Sequence, residues 1–273
     1  MRAKTLVITS VCLALWSPAY GASFDVFPGA GTPLQDAIAA ASSSDTLRVH
    51  AGTYSEAVVI DKSLKLIGDG AAVTTIDAGC SSAAALSVQA DGVTIRGIRV
   101  TKGTYFAINI EQRDKITVKD TITAQGCGTE EYGINLFDST NITLKGNEAF
   151  GFHDAGIYIG GIGPDGKVKV EKNYCHDNDL GIIVEDSAPG SIIVKGNTAA
   201  NNTTGIWVHN SDGNRVSGNT LSGNAAGIDL DSTSDDNRIT GNTIDSDSHD
   251  DGMNNCWKGN TYTNGAVGPQ GCP

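Results

Sequence analysis

Short runs in which apolar and polar residues alternate recur along this chain. Ile142-Thr143-Leu144, Val168-Lys169-Val170 and Ile192-Ile193-Val194 are examples. Runs of this length predict strands with one buried face. Glycine sets their phase. Gly133-Ile134-Asn135-Leu136 returns as Gly156-Ile157-Tyr158-Ile159, Gly181-Ile182-Ile183-Val184, Gly205-Ile206-Trp207-Val208 and Gly227-Ile228-Asp229-Leu230, at intervals of 22–25 residues. A second beat runs beside it as Gly146-Asn147, Gly196-Asn197, Gly218-Asn219 and Gly241-Asn242, with Lys172-Asn173 in the remaining place. A fixed short period predicts a solenoid, in which each unit buries its apolar side chains against its neighbours. No unit carries a helical stripe, so helical repeats and leucine-rich horseshoes fit badly.

Each unit therefore holds two or three short strands separated by Gly, Asn, Asp and Ser turns. The motif Gly-Ile-x-[Ile/Leu/Val] followed by Gly-Asn resembles the parallel β-helix repeats of the pectin-lyase-like superfamily. The resemblance covers most of the chain beyond its first 21 residues. It implies an all-β fold, a single-stranded right-handed parallel β-helix solenoid. Such a scaffold carries many activities, so function has to be argued from a site. The segment from Gly52-Thr53-Tyr54-Ser55-Glu56 to Gly68-Asp69-Gly70 also looks like the first coil of pectin methylesterases and of the carbohydrate-binding family that includes nitrous oxide reductase maturation proteins. The esterases' catalytic glutamines, paired aspartates and arginine motif have no match downstream, so only the cap carries over. The Asp-Pro-His motif of mannuronan epimerases is missing too, since Phe152-His153-Asp154 has no preceding Asp-Pro.

An open solenoid end exposes apolar interior and needs a cover. Residues 32–41 predict a short N-terminal capping helix, with Thr32 at the cap and Pro33 at the first helical position. Ala85-Leu86-Ser87-Val88 and Ala107-Ile108-Asn109-Ile110 fill the Gly-Ile slot in the early coils. Residues 126–131 and 160–166 interrupt the period and predict loops, and insertions on one face of a solenoid often line its binding face. Past Asn242 the pattern frays. The expected organisation is one β-helix domain over residues 22–273, with caps at about 22–57 and 252–273.

Residues 1–21 predict a signal peptide: Arg2 and Lys4, an apolar run from Leu6 to Trp16, then Ala19-Tyr20-Gly21. The run is short for a membrane span. The expectation is a secreted protein, extracellular or periplasmic, with no membrane insertion. Its removal takes Arg2 and Lys4 from 19 Lys+Arg and leaves 17 against 31 Asp+Glu, a net charge of −14. Such a surface repels nucleic acid, and repels polyuronic acids unless a cation bridges them. Neutral glycans or Ca²⁺ suit it better. Five cysteines remain. Cys256 and Cys272 bracket a short Gly/Pro-containing tail and predict a disulfide that staples the C-terminal end. Cys80 and Cys127 both lie in Gly-containing loops and can pair where those loops stack. Cys175 takes the position held by Ala149, Ala199, Leu221 and Ile244 in other coils, which predicts a buried, inert thiol.

Stacked coils bring equivalent residues to strand spacing, about 4.8 Å. In Gly-Ile-x-Ile-x the isoleucines point in and the x positions point out. One outward row is then Ser87, Asn109, Asn135, Tyr158, Ile183, Trp207 and Asp229; the next is Gln89, Glu111, Phe137, Gly160, Glu185, His209 and Asp231. Tyr158, Trp207 and Asp229 are the expected polysaccharide-binding residues, the two rings serving as stacking platforms. Glu185, His209 and Asp231 fall on successive coils and are the expected acid/base set. Neither row holds Lys or Arg, which the uronate lyases and epimerases of this fold use to neutralise a substrate carboxylate. Two functions stay open: a protein that binds or processes an extracellular polysaccharide, and a non-catalytic structural, adhesive or envelope accessory protein. The pairs His153-Asp154, His176-Asp177 and His249-Asp250 are expected to be solvated. The recurring Asn residues at turns are expected to bond one another and the turn backbone from coil to coil. Asp229, Asp231, Asp235, Asp236, Asp245 and Asp247 are a candidate Ca²⁺ cluster, without a known calcium-loop spacing.

Overall fold

A computed structural model describes residues 21–272; the expected signal peptide, save Gly21, lies outside the described residues. Parallel strands stack into sheets of eleven, ten and nine strands. Each coil visits them in turn: Ile142–Lys145 joins the eleven-stranded sheet, Glu148–Phe150 the ten-stranded, Ala155–Gly160 the nine-stranded. The isoleucines set the register. Ile134 faces Ile157, Ile157 faces Ile182, Ile182 faces Ile206 and Ile206 faces Ile228. All five are fully buried in one inward column, as the glycine-phased pattern predicts. Cys175 stacks between Ala149 and Ala199 and is buried and free. Burial in an apolar interior pushes its thiol up, so it is no nucleophile.

The Gly-Asn beat has two physical roles. Gly146, Gly196, Gly218 and Gly241 sit at φ between 62° and 65°, the left-handed turn that glycine enters without strain. Lys172 adopts the same turn at φ 56°. The following asparagines are buried and form a ladder. Asn173 donates from its backbone N–H and its Nδ2 to Asn197 Oδ1, each at 2.9 Å, and Nδ2 also reaches Leu144 O. The pattern repeats from Asn197 to Asn219, Asn219 to Asn242 and Asn242 to Asn260. A second ladder joins Asn178, Asn202 and Asn224. These amides satisfy backbone donors that a tight turn would otherwise bury unpaired.

The ends depart from expectation in detail. The capping helix is Pro33–Ala40, and Leu34 and Ile38 plug the core. Thr32 makes no side-chain cap; the buried Glu56 carboxylate accepts from the N–H groups of Leu34 and Gln35 instead. Lys62 Nζ donates to the carbonyls of Ile38, Ala39 and Ala41 at the other end. Each charge has the sign that the helix dipole favours. Ser23–Val26 is an additional edge strand, paired with Thr46–Val49. At the other terminus Cys256–Lys258 and Thr261–Tyr262 still belong to sheets, so strands extend into the segment expected to be cap. The tail returns antiparallel, with Trp257 and Gly271 exchanging both backbone hydrogen bonds. Cys256–Cys272 pins that tail, and Cys80–Cys127 joins two loops.

Candidate functional site

Both interruptions of the period border the nine-stranded sheet: residues 126–131 lead into Tyr132–Phe137, and residues 161–167 leave Ala155–Gly160. The first loop is organised by Glu130, fully buried, whose carboxylate accepts from the N–H groups of Gly126, Cys127 and Thr129. The outward face of this sheet therefore lies between two built edges.

The register places the expected residues in rows. Asn135, Tyr158, Ile183, Trp207 and Asp229 are successive partners, and His249 extends the row beyond Asp229. Ile183 faces out but is only 2% exposed, consistent with large rings on either side. In the next row Glu111, Phe137, Gly160, Glu185 and His209 are successive partners. Tyr158 Oη donates to Glu185 Oε2 at 2.7 Å. His209 lies between carboxylates: Nε2 is 4.0 Å from Glu185 Oε1, and Nδ1 is 2.6 Å from Asp231 Oδ2. The second contact is close but not directed along the N–H, so it is not a hydrogen bond. Asp231 is itself held by the Thr233 and Ser234 hydroxyls and the N–H groups of Asn210 and Thr233. Burial pushes its carboxyl up, yet these hydrogen bonds outweigh burial and leave it below the ordinary value. The trio thus has a fixed anion, an imidazole and a second carboxylate in line, an arrangement able to hold and move a proton. Trp207 packs beside His209, ring centroids 4.9 Å apart.

Strict alternation from the isoleucines misses half of the aromatic surface. Ala107 and Ile108 are both buried, as are Gly133 and Ile134, so the pleat is broken there and the residue before each pair turns outward. Phe106 and Tyr132 are those residues, partners across adjacent strands. Tyr105, Phe106, Tyr132 and Tyr158 form one continuous group, with centroids 4.6–5.9 Å apart. An aromatic directly before the Ala-Ile or Gly-Ile slot is the signal that identifies them. The strip runs on through Ile183 to Trp207. Burial, then the neighbouring carboxylate, raises the hydroxyls of Tyr132 and Tyr158; the carboxylates are Asp154 and Glu185. Asp154 itself is raised by burial, and Glu131, Asp179 and Glu185 add to this against a hydrogen bond from Tyr132. Asp229 is raised by burial, with Asp251 and Asp231 adding and His249 opposing.

A basic group borders the face. Arg113 lies in a shallow polar depression with Ser87, Gln89, Asn109 and Glu111, at the end remote from His209. The other expected chemistry is dispersed. Asp235 accepts from Met253 N–H, Asp245 from Gly223 N–H and Asp247 from Val267 N–H, each serving a neighbouring turn. Among the described residues no group of three or more His, Cys, Asp or Glu gathers to hold a metal ion. His153 contacts Gly128 O. His176 is not on a solvated turn. It ends a strand of the ten-stranded sheet and stacks on Phe150 and Tyr174, with its nitrogens on Glu148 and Asp177. No helix among the described residues is long and apolar enough to cross a membrane.

A family profile described as "Right handed beta helix region" matches residues 74–221 and 165–268. No curated protein sequence matches the chain. Among solved structures, the alginate lyase from Paenibacillus sp. str. FPU-7 superposes with a TM-score of 0.64 at 14% identity, covering 91% of this chain and 98% of the lyase. The polygalacturonase from Erwinia carotovora ssp. carotovora gives 0.59 at 11% identity, covering 91% and 94%. PfbA, a surface adhesin of Streptococcus pneumoniae, gives 0.54 at 11% identity, covering 83% and 68%. At these identities the likeness is one of fold.

Proposed function

The chain belongs to the right-handed β-helix family, and from that premise we propose that it binds an extracellular polysaccharide along the outward face of its nine-stranded sheet. The observation that carries this is the aromatic strip. Phe106, Tyr132 and Tyr158 project from successive strands of one sheet and Trp207 from the strand beyond Ile183, in two rows joined where the Tyr132 and Tyr158 rings lie 5.0 Å apart, a path a polymer can follow. Aromatic rings present flat apolar surface for the C–H face of a pyranose, and neighbouring carboxylates accept its hydroxyls. The fold's neighbours include a lyase and a hydrolase with polysaccharide names, which supports the same reading. The two disulfides and the N-terminal segment support a location outside the cytoplasm.

Processing of the bound chain is the finer proposal, with His209 moving a proton between ligand and solvent, Asp231 orienting it and Glu185 as the second carboxylate. A binding protein without turnover is the second reading. It is favoured by one observation: the Glu185 and Asp231 carboxylates are already engaged by Tyr158, Thr233 and Ser234. Incubation with a panel of neutral and uronic polysaccharides, recording binding and product release, decides between them. Binding with products that vanish in Glu185→Gln and Asp231→Asn supports processing. Binding without products supports the second reading, and no binding to any member contradicts both.

A further inference from the structure

We propose that the polysaccharide on this strip is built of uncharged pyranose residues and is not a polyuronate. The inference rests on the binding face proposed above and names the class of its ligand.

The strip is apolar along its centre and negative along its borders. Asp154 lies beside Tyr132, Glu185 beside Tyr158, and Asp229 and Asp231 beside Trp207 and His209. Among the described residues the only salt-bridge partner of these carboxylates is His209, and no Lys or Arg pairs with them. Lys102 pairs with Asp77, Lys145 with Glu171 and Arg96 with Asp120, none of them on this strip. The charged groups acting most strongly on Asp154 are Glu131, Asp179 and Glu185, and on Asp229 they are His249, Asp251 and Asp231. Apart from His249 every one is a carboxylate. Arg113 stands at the far end of the face, next to Glu111.

A polyuronate laid along the strip would bring one carboxylate per sugar against this row. Like charges at these separations repel, most strongly where the surface is half-buried and screening is weak. A divalent bridge would relieve the repulsion, so the titrations below are run with EDTA present, which leaves the protein's own charge to decide. An uncharged glycan meets no such cost. Its hydroxyls donate to the same carboxylates, and its ring faces stack on Tyr132, Tyr158 and Trp207.

The class of ligand limits the reaction. β-Elimination and C-5 epimerisation remove a proton made acidic by a neighbouring uronate carboxylate, which an uncharged sugar lacks. Turnover, where it occurs, is then hydrolysis. The glycosidic C–O bond breaks, the oxygen of water bonds to the anomeric carbon, and one proton of water ends on the leaving oxygen.

The test titrates the purified protein with a neutral β-glucan, a neutral mannan, polygalacturonate and alginate, at low and high NaCl. At least one uncharged polymer should bind with an affinity indifferent to salt. The polyuronates should bind at least roughly tenfold more weakly at low salt, and improve as salt screens the repulsion. Asp154→Asn should raise polyuronate affinity. Polyuronates that bind as tightly as, or more tightly than, every uncharged polymer overturn this inference and leave the binding face standing. Failure of all four polymers overturns the binding face and the inference with it.

Discussion

Tyr158 reaches Glu185 because Gly160 has no side chain. The two residues lie on adjacent coils, and Gly160 is the strand partner of Glu185. A Cβ on Gly160 would fall 2.4 Å from Tyr158 Oη and 2.7 Å from its ring carbons. The ring therefore lies over the glycine and delivers its hydroxyl to Glu185 Oε2 at 2.7 Å. Gly160→Ala should lift the ring, break this bond and weaken glycan binding several-fold, at a stability cost of about 1–3 kcal/mol. Tyr158→Phe keeps the ring and loses only the bond, so it should bind nearly as well. Calorimetric titration of both variants separates ring placement from the hydrogen bond.

Trp207 supplies the largest single stacking surface at the C-terminal end of the strip. Its ring faces outward beside His209. Trp207→Ala should weaken binding by about tenfold. Thermal unfolding should change little, by less than about 1 kcal/mol, because the inward column behind it is intact. A variant that binds as wild type would remove this ring from the site.

The asparagine ladder predicts a large cost for a polar-to-small change. Asn197 is 1% exposed, accepts from the backbone and side chain of Asn173, and donates to Val170 O and Asn219 Oδ1. Asn197→Ala leaves several buried groups unpaired, each worth about 1–3 kcal/mol, so the total loss should exceed about 3 kcal/mol. Denaturant unfolding measures it.

Asp154 predicts a pH dependence. Its carboxyl is raised, chiefly by burial, so the folded protein holds that proton more tightly than the unfolded chain does. The stability from protonation is fully present below the unfolded value and is lost as pH rises through the folded value. At pH 7 the charged form bears the cost of burial; an amide does not. Asp154→Asn should therefore raise the melting temperature at pH 7, and the gain should shrink as the pH falls toward 4. A gain that grows with acidity would contradict the sign.

Much of this was legible in the sequence. The isoleucine column, the stacking of Cys175 with Ala149 and Ala199, and the asparagine ladders follow from a period that recurs at nearly constant length. The outward rows from Asn135 to Asp229 follow from alternation alone. What escaped has local causes. Phe106 and Tyr132 were hidden by the broken pleat before Ile108 and Ile134, where two consecutive residues face the core. Glu56 caps the helix in place of Thr32, and local sequence does not show it because the accepting carboxylate lies 22 residues from Leu34, on the coil beneath the helix. In the acidic C-terminal half Asp235, Asp245 and Asp247 each accept from a turn N–H of a neighbouring coil, a role that composition does not reveal.

The central claim is that the glycan lies on the nine-stranded sheet, and hydroxyl-radical footprinting reads that directly. The ten-stranded sheet carries its own stacked rings, Phe150, Tyr174 and His176, which serve as the internal comparison. With a polysaccharide bound, oxidation should fall at Phe106, Tyr132, Tyr158 and Trp207 and stay unchanged at Phe150 and Tyr174. Protection confined to Phe150 and Tyr174, or protection at neither set despite binding, would contradict it.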